Sequence, residues 1–166
     1  MAKPLLYESY DVVFQEVPDE ISLCFWITGC DKKCPGCHSE NLWDYHGLPL
    51  YKAHKEIIEK YRGLITCVCF MGGDQNISEL TDILVYCKRT GLKTCLYTGE
   101  DHSGHLQPIL PLLDYVKTGH YDQEKGGLTS KKTNQTFFKK IEDQYGDHEW
   151  VDITYRFWDC NKVVKE

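Results

Sequence analysis

Three cysteines, Cys30, Cys34 and Cys37, stand within eight residues of one another in the stretch ITGCDKKCPGCHSE, residues 27–40. Their spacing is C-x3-C-x2-C, and no fourth cysteine follows close behind. Thiolate is a soft ligand that suits zinc and iron–sulfur clusters. Structural zinc takes four ligands, usually as two close pairs. His38 follows Cys37 directly, but adjacent side chains seldom converge on one small ion. The remaining cysteines (Cys24, Cys67, Cys69, Cys87, Cys95 and Cys160) form no C-x2-C pair, so a zinc site would have to recruit one through the fold. A [4Fe-4S] cluster held by three thiolates needs no fourth. Each sulfur binds one corner iron, and the last iron stays open for an outside ligand. An open position belongs to reactive sites rather than structural ones. Lys32 and Lys33 add positive charge beside such an anionic group, and Gly36 lets the backbone approach something bound there.

These cysteines need elements to hold them. ISLCFWIT (21–28) is a near-continuous apolar run, as expected of a strand buried on both faces, and the cysteines follow its C-terminal end. YKAHKEIIEKYR (51–62) predicts a helix with Ile57, Ile58 and Tyr61 on one face. LITCVCFMGGD (64–74) predicts a second strand, ending in Gly72 and Gly73. NISELTDILVYCKRTG (76–91) predicts a helix with Leu80, Ile83, Leu84 and Cys87 as its apolar stripe, Asn76 or Ser78 as cap and Gly91 as stop. LKTCLYTG (92–99) predicts a third strand. A short helical piece, a strand over 115–121, a short helix over 134–146 and a last strand over 149–158 complete the expectation.

Strands alternating with helices imply parallel pairing through right-handed crossovers. The chain has 166 residues, too few for a complete eight-unit barrel of about 250. The expected fold is α/β, an incomplete, splayed β/α barrel of about five to six units, in a single domain over 1–166. Functional groups in such folds gather at the C-terminal ends of the strands. The three cysteines, the Gly-Gly turn and the YTG end of the third strand all fall there.

The formal charge is −6, from 25 acidic and 19 basic residues. That balance disfavours nucleic acid as a partner by bulk electrostatics. No apolar run is long enough to span a bilayer, and the first twenty residues carry acids and a proline where a signal peptide needs an apolar core. The expectation is a cytoplasmic protein with no membrane partner. A reducing compartment keeps the nine cysteines as thiols, and an odd number resists a full disulfide framework.

C-x3-C-x2-C after a first strand resembles the signature of the radical S-adenosylmethionine superfamily. The wider stretch TGCDKKCPGCHSENLW resembles the activating enzymes of anaerobic (class III) ribonucleotide reductase, through Thr28, Gly29, Cys30, Cys34, Pro35, Gly36, Cys37, His38, Ser39 and Trp43. MGGD (71–74) is similar to the superfamily's Gly-Gly-Glu motif. LYTG (96–99) is similar to the family's aromatic-Thr-Gly. DYVKTGHYD (114–122) and LTSKKTNQTFF (128–138), with Asn134 and Gln135, resemble two later segments. The resemblance runs in order from about residue 12 to residue 138. Two positions depart from the superfamily. Gly36 stands where an aromatic residue usually precedes the third cysteine, as in the activase subgroup. Asp74 stands where glutamate is usual.

The resemblance implies a radical S-adenosylmethionine barrel with Cys30, Cys34 and Cys37 as the metal ligands. It implies cofactor contacts from Gly36, Cys37, His38, Gly72, Gly73, Asp74 and Lys117. The open iron would be chelated by the amino and carboxylate groups of S-adenosylmethionine. One electron then cleaves the C5′–S bond to give methionine and a 5′-deoxyadenosyl radical. That radical takes a hydrogen from one glycine α-carbon in the glycyl-radical subunit of anaerobic ribonucleotide reductase. The implied enzyme is an oxidoreductase fed by a low-potential donor such as flavodoxin or ferredoxin. It has no catalytic residue beyond the cluster and cofactor, and no Ser–His–Asp set or paired-carboxylate signature appears. Two other readings compete. One is a small radical enzyme acting on a small molecule, as in the deazapurine carboxylate synthases. The other is a non-enzymatic zinc or iron–sulfur module.

Plainer roles stand beside these. Gly72 and Gly73 also suit a simple turn, and Asp74 a helix-start acid. Cys67, Cys69 and Cys95 could hold a second cluster, but free cysteines are commonly buried as small apolar groups. Lys131, Lys132, Lys139 and Lys140 read as a solvated face rather than a docking patch. His46, His54, His102, His105 and His148 fall in no pattern.

Overall fold

Residues 2–159 are described by a computed structural model; Cys160 lies outside them. Eight strands form one sheet: β1 (Leu6–Val13), β2 (Ser22–Ile27), β3 (Leu48–Pro49), β4 (Cys67–Met71), β5 (Lys93–Tyr97), β6 (Tyr115–Thr118), β7 (Thr136–Glu142) and β8 (His148–Asp152). Their spatial order is β3-β1-β2-β4-β5-β6-β7-β8. The central four, β2, β4, β5 and β6, are parallel, and antiparallel strands extend the sheet on both sides.

The central strands follow the chain in spatial order without reversal. Right-handed crossovers then carry every connecting helix to the same face. Helices α1 (Leu50–Tyr61) and α2 (Ile77–Arg89) accordingly share one face. There Leu50, Ile57, Ile58, Leu80, Ile83 and Leu84 pack on Leu23, Phe25, Val68, Phe70, Leu96 and Val116. Asn76 caps α2, its side chain accepting from Glu79 N at 3.1 Å. The link from β5 to β6 is shorter, two 3₁₀ turns at Gly104–Leu106 and Leu110–Leu112.

The opposite face carries the alternate residues of the same strands. Cys24, Cys69 and Cys95 are register partners across β2, β4 and β5, and all are fully buried with Cys67. Val17 from the β1–β2 connection and Ile153 and Phe157 from the chain's end cover them, together with Tyr115 and Phe137. Hydrogen bonds fasten this cover. Tyr97 Oη donates to the Glu16 carbonyl, and Arg156 pairs with both Asp19 oxygens at 3.0 and 2.7 Å.

Three segments differ from the sequence expectation. Residues 6–13 form strand β1, which pairs with β2. Residues 136–142 form strand β7 rather than a short helix, because β6 and β8 bracket them and take up their backbone groups. The last strand stops at Asp152, whose Oδ1 accepts from Thr154 N at 2.9 Å and Thr154 Oγ1 at 2.6 Å. That local bonding turns the chain into a short helix, α3 (Arg156–Asp159). Among the described residues, no helix is long and apolar enough to cross a membrane.

One buried carboxylate sits under the cover. Glu20 Oε1 accepts from Tyr115 Oη at 2.9 Å and from Lys93 Nζ at 2.6 Å. Burial and the Glu20 carboxylate hold the Tyr115 phenol above its usual range. Tyr115→Phe leaves Glu20 with one partner and should cost about 2 kcal/mol of stability. Chemical denaturation should show this as a lower midpoint with an unchanged slope.

Candidate functional site

Strand β2 ends at Ile27, and the chain leaves the sheet through Thr28, whose hydroxyl donates to the His46 carbonyl at 2.6 Å. Gly29 N and Cys30 N both donate to the Leu42 carbonyl, at 2.8 and 3.1 Å. These bonds tie together the two ends of residues 29–42, so the cysteines ride on a closed loop. Within it Cys37 N donates to the Cys34 carbonyl at 3.1 Å, around Pro35 and Gly36. Gly36 has φ +75°, as the position after proline in such a turn requires. A Cβ at Gly36 would come within 2.9 Å of the Gln123 side chain. Its close approach is therefore to the protein itself.

A cavity of about 290 Å³ lies at the C-terminal ends of β2, β4, β5 and β6. Cys30, Cys37, Gly72, Asp74 and Lys117 all line it. Cys34 lines a neighbouring groove that shares Lys32 and Gly99 with the cavity. His38 stands against the Tyr121 ring, centroids 5.6 Å apart, and borders a different groove with Trp26 and Asn41. Gly73 turns inward, where a Cβ would meet Leu5 and Leu80 at 3.7 and 3.6 Å. Gly36, His38 and Gly73 thus shape the rim and its turns without lining the cavity.

Lys117 is buried on β6 with only 8% of its surface exposed. Its Nζ donates to the carbonyls of Gly119 at 2.8 Å and Thr98 at 3.2 Å. Burial pushes its pKa down to about 8, while Cys34, Cys37 and Cys30 favour its charged form. The three thiols and this ammonium are therefore in electrostatic reach of one another. Gly119 (φ +99°) lets the chain turn there, since a Cβ would fall 2.9 Å from Asn134 O and Gln135 Cα. Asn134 Nδ2 donates to the His120 carbonyl at 3.1 Å. Asn134 and Gln135 buttress the end of β6 and do not line the cavity.

Asp74 Oδ2 accepts from Thr98 Oγ1 and from His105 Nε2, each at 2.7 Å. Gln75 bridges two strand ends, accepting from Gly73 N at 3.0 Å and donating to the Thr28 carbonyl at 3.1 Å. Lys32 crosses the rim to Glu100 at 2.7 Å, and that hydrogen bond lowers the Glu100 pKa. Thr98 belongs to the YTG strand end that the sequence marks, whereas Gln75 and His105 carry no sequence signal of a site role.

The donor set fits an iron–sulfur group. Cys30, Cys34 and Cys37 are at least partly exposed, and Cys37 Sγ accepts from Ser39 N at 3.4 Å. Among the described residues, no three His, Cys, Asp or Glu side chains converge tightly enough for a single metal ion. A cluster, in which each thiolate binds its own iron, needs no such convergence. The other five described cysteines are buried. Burial raises the thiol pKa of Cys67, Cys69, Cys87 and Cys95, to about 11 for Cys95 and about 12 for Cys87, and the Cys69 thiol, then burial, raises that of Cys24.

The Lys117 pKa gives a signed prediction. Between about 8 and the ordinary 10.5, the unfolded chain holds a proton that the folded chain has lost. Stability from this group therefore rises as pH rises through that window. The metal-free wild type should gain up to about 3 kcal/mol more than Lys117→Met across it. Denaturation of both proteins at the two ends of the window checks this, and equal gains would refute it.

No curated protein matches the chain. The sequence model of one family, described as the 4Fe-4S single cluster domain, matches residues 21–145. That span begins just before β2 and ends beyond β7, so it takes in the cysteine loop and every strand end that lines the cavity. With most of its length and all three loop cysteines inside the match, this chain belongs to the 4Fe-4S single cluster domain family.

Proposed function

We propose that the chain is a radical S-adenosylmethionine enzyme that installs a glycyl radical on anaerobic ribonucleotide reductase. The observation that carries this reading is one cavity lined jointly by Cys30 and Cys37, Gly72 and Asp74, and Lys117. These residues come from three separate strand ends, and each falls in a segment that resembles the radical S-adenosylmethionine superfamily or its activase subgroup. The fold supports the same reading. Helices on one face of a sequentially ordered parallel sheet suit a splayed partial barrel; a doubly wound sheet carries them on both faces. The domain would span 1–166.

Cys30, Cys34 and Cys37 would hold the cluster. When bound, it supplies one electron to the sulfonium of S-adenosylmethionine, whose C5′–S bond breaks to give methionine and a 5′-deoxyadenosyl radical. Asp74 offers a carboxylate to the substrate's ammonium, and Gly72, at φ +96°, makes the turn that brings it there. Lys117, in the same cavity as Cys30 and Cys37, would supply positive charge toward an anionic cluster held there. Gly36 and His38 act on the loop and its rim. The Lys32–Glu100 pair closes one side of the mouth. The deoxyadenosyl radical would take hydrogen from a glycine α-carbon of the reductase, leaving 5′-deoxyadenosine and the glycyl radical. A low-potential donor such as flavodoxin or ferredoxin would return the electron, in the cytoplasm.

The test is anaerobic. The chain is purified, reconstituted with iron and sulfide, reduced, and given S-adenosylmethionine. The expected products are methionine and 5′-deoxyadenosine, and with the reductase present a glycyl radical by electron paramagnetic resonance. Cys34→Ala should abolish cleavage and lower iron content, whereas Cys69→Ala should keep four irons per chain, the content of a single such cluster. A zinc-loaded protein with no cleavage sinks the reading.

A further inference from the structure

We infer that His105 is a positioning residue, which with Thr98 orients the Asp74 carboxylate for a cationic group of the cavity's ligand. The inference rests on the proposed binding of S-adenosylmethionine and names what sets its ammonium contact. Asp74 comes from the turn after β4, Thr98 from the end of β5, and His105 from the 3₁₀ turn Gly104–Leu106. All three line the same cavity.

The hydrogen bonding is one-sided. Thr98 Oγ1 and His105 Nε2 both reach Asp74 Oδ2 at 2.7 Å. A carboxylate only accepts, so the imidazole proton facing it sits on Nε2. Asp74 Oδ1 has no protein partner among the described residues and is not shielded. Two donors on one oxygen fix the plane of the carboxylate and leave the other oxygen to a ligand. A cation is the natural occupant, since it adds charge attraction to the hydrogen bond.

His105 is itself held firmly. The next residue, Leu106, is fully buried in the helix-side core, and its N–H donates to the Ser103 carbonyl at 2.9 Å. Thr98 is fixed by its place beyond β5, its N–H donating to the Lys117 carbonyl at 2.9 Å. His105 Nδ1 is buried without a protein partner among the described residues, so the ring's one hydrogen bond there is the one from Nε2 to Asp74. The bond from Nε2 to Asp74 accounts for the ring's orientation.

The experiment is anaerobic equilibrium dialysis with the cluster-loaded chain, using two ligands. S-adenosylmethionine carries the ammonium; 5′-methylthioadenosine shares the nucleoside and lacks it. His105→Ala should weaken S-adenosylmethionine binding about tenfold or more, as loss of a hydrogen bond to a charged group implies. Binding of methylthioadenosine should change by less than about twofold. His105→Gln, whose amide can donate from nearly the same place, should recover most of the loss. Iron content and melting temperature report whether each variant is folded and loaded. Unchanged S-adenosylmethionine affinity in His105→Ala overturns the inference, as does an equal loss for both ligands. Failure of the wild type to bind S-adenosylmethionine overturns the proposed function, and this inference with it.

Discussion

A lysine ammonium buried at the end of a parallel strand must be paired, and much of the site follows from how this chain does it. Lys117 donates to two main-chain carbonyls, Thr98 O and Gly119 O. Neither partner is charged, so the ammonium keeps its full charge uncompensated by any carboxylate in direct contact. That is a costly arrangement in a protein interior and lowers its pKa. It becomes a useful one when an anionic group sits at the cysteine loop, because the lysine's field is then aimed at it and not cancelled on the way. The pairing also dictates backbone geometry. Thr98 must lie beside Lys117, and Gly119 must adopt a positive φ to turn its carbonyl back.

Thr98 then becomes the junction of the site. Its carbonyl holds Lys117, and its hydroxyl accepts from Glu100 N at 3.1 Å while donating to Asp74. A cation and an anion are thus kept at fixed positions by one residue between them, without meeting as an ion pair. A direct Lys117–Asp74 salt bridge would neutralise both, and the cavity would offer a ligand neither charge. A zwitterionic end of a small molecule is the kind of group that benefits from separated charges of this sort.

The sequence makes the frame of this site legible and leaves its internal wiring hidden. Strands β2, β4 and β5 are recognisable because burial on both faces demands continuous apolar runs, such as Cys67 to Met71. The cysteine spacing and the Gly-Gly turn follow from local pattern, and Lys117 from the family resemblance. Strand β7 is a different case. TFFKKIE alternates poorly, with Phe137 fully buried and Phe138 on the other face, and a short segment of that kind is equally compatible with a helix. Its strand form depends on β6 and β8, partners supplied by the fold. Strand β1, LYESYDVV, is similarly polar and takes its identity from pairing with β2. The Asp74–Thr98–His105 network joins residues 24 and 31 positions apart. No local periodicity encodes such a set.

The cysteines show why residue type alone cannot assign chemistry. The chain uses one side chain for two opposite purposes, and the sheet decides which. On β2, β4 and β5 the thiols lie in register on a covered face, where desolvation and neighbouring thiols disfavour the thiolate. A thiolate there would be a buried charge, so these positions behave as small apolar side chains. Just past the end of β2, the same residue type sits on a polar loop, partly exposed and within the field of a buried lysine. That is where a metal group can reach the sulfur. The boundary between the two populations is Thr28 and Gly29, the residues that carry the chain from the sheet into the loop.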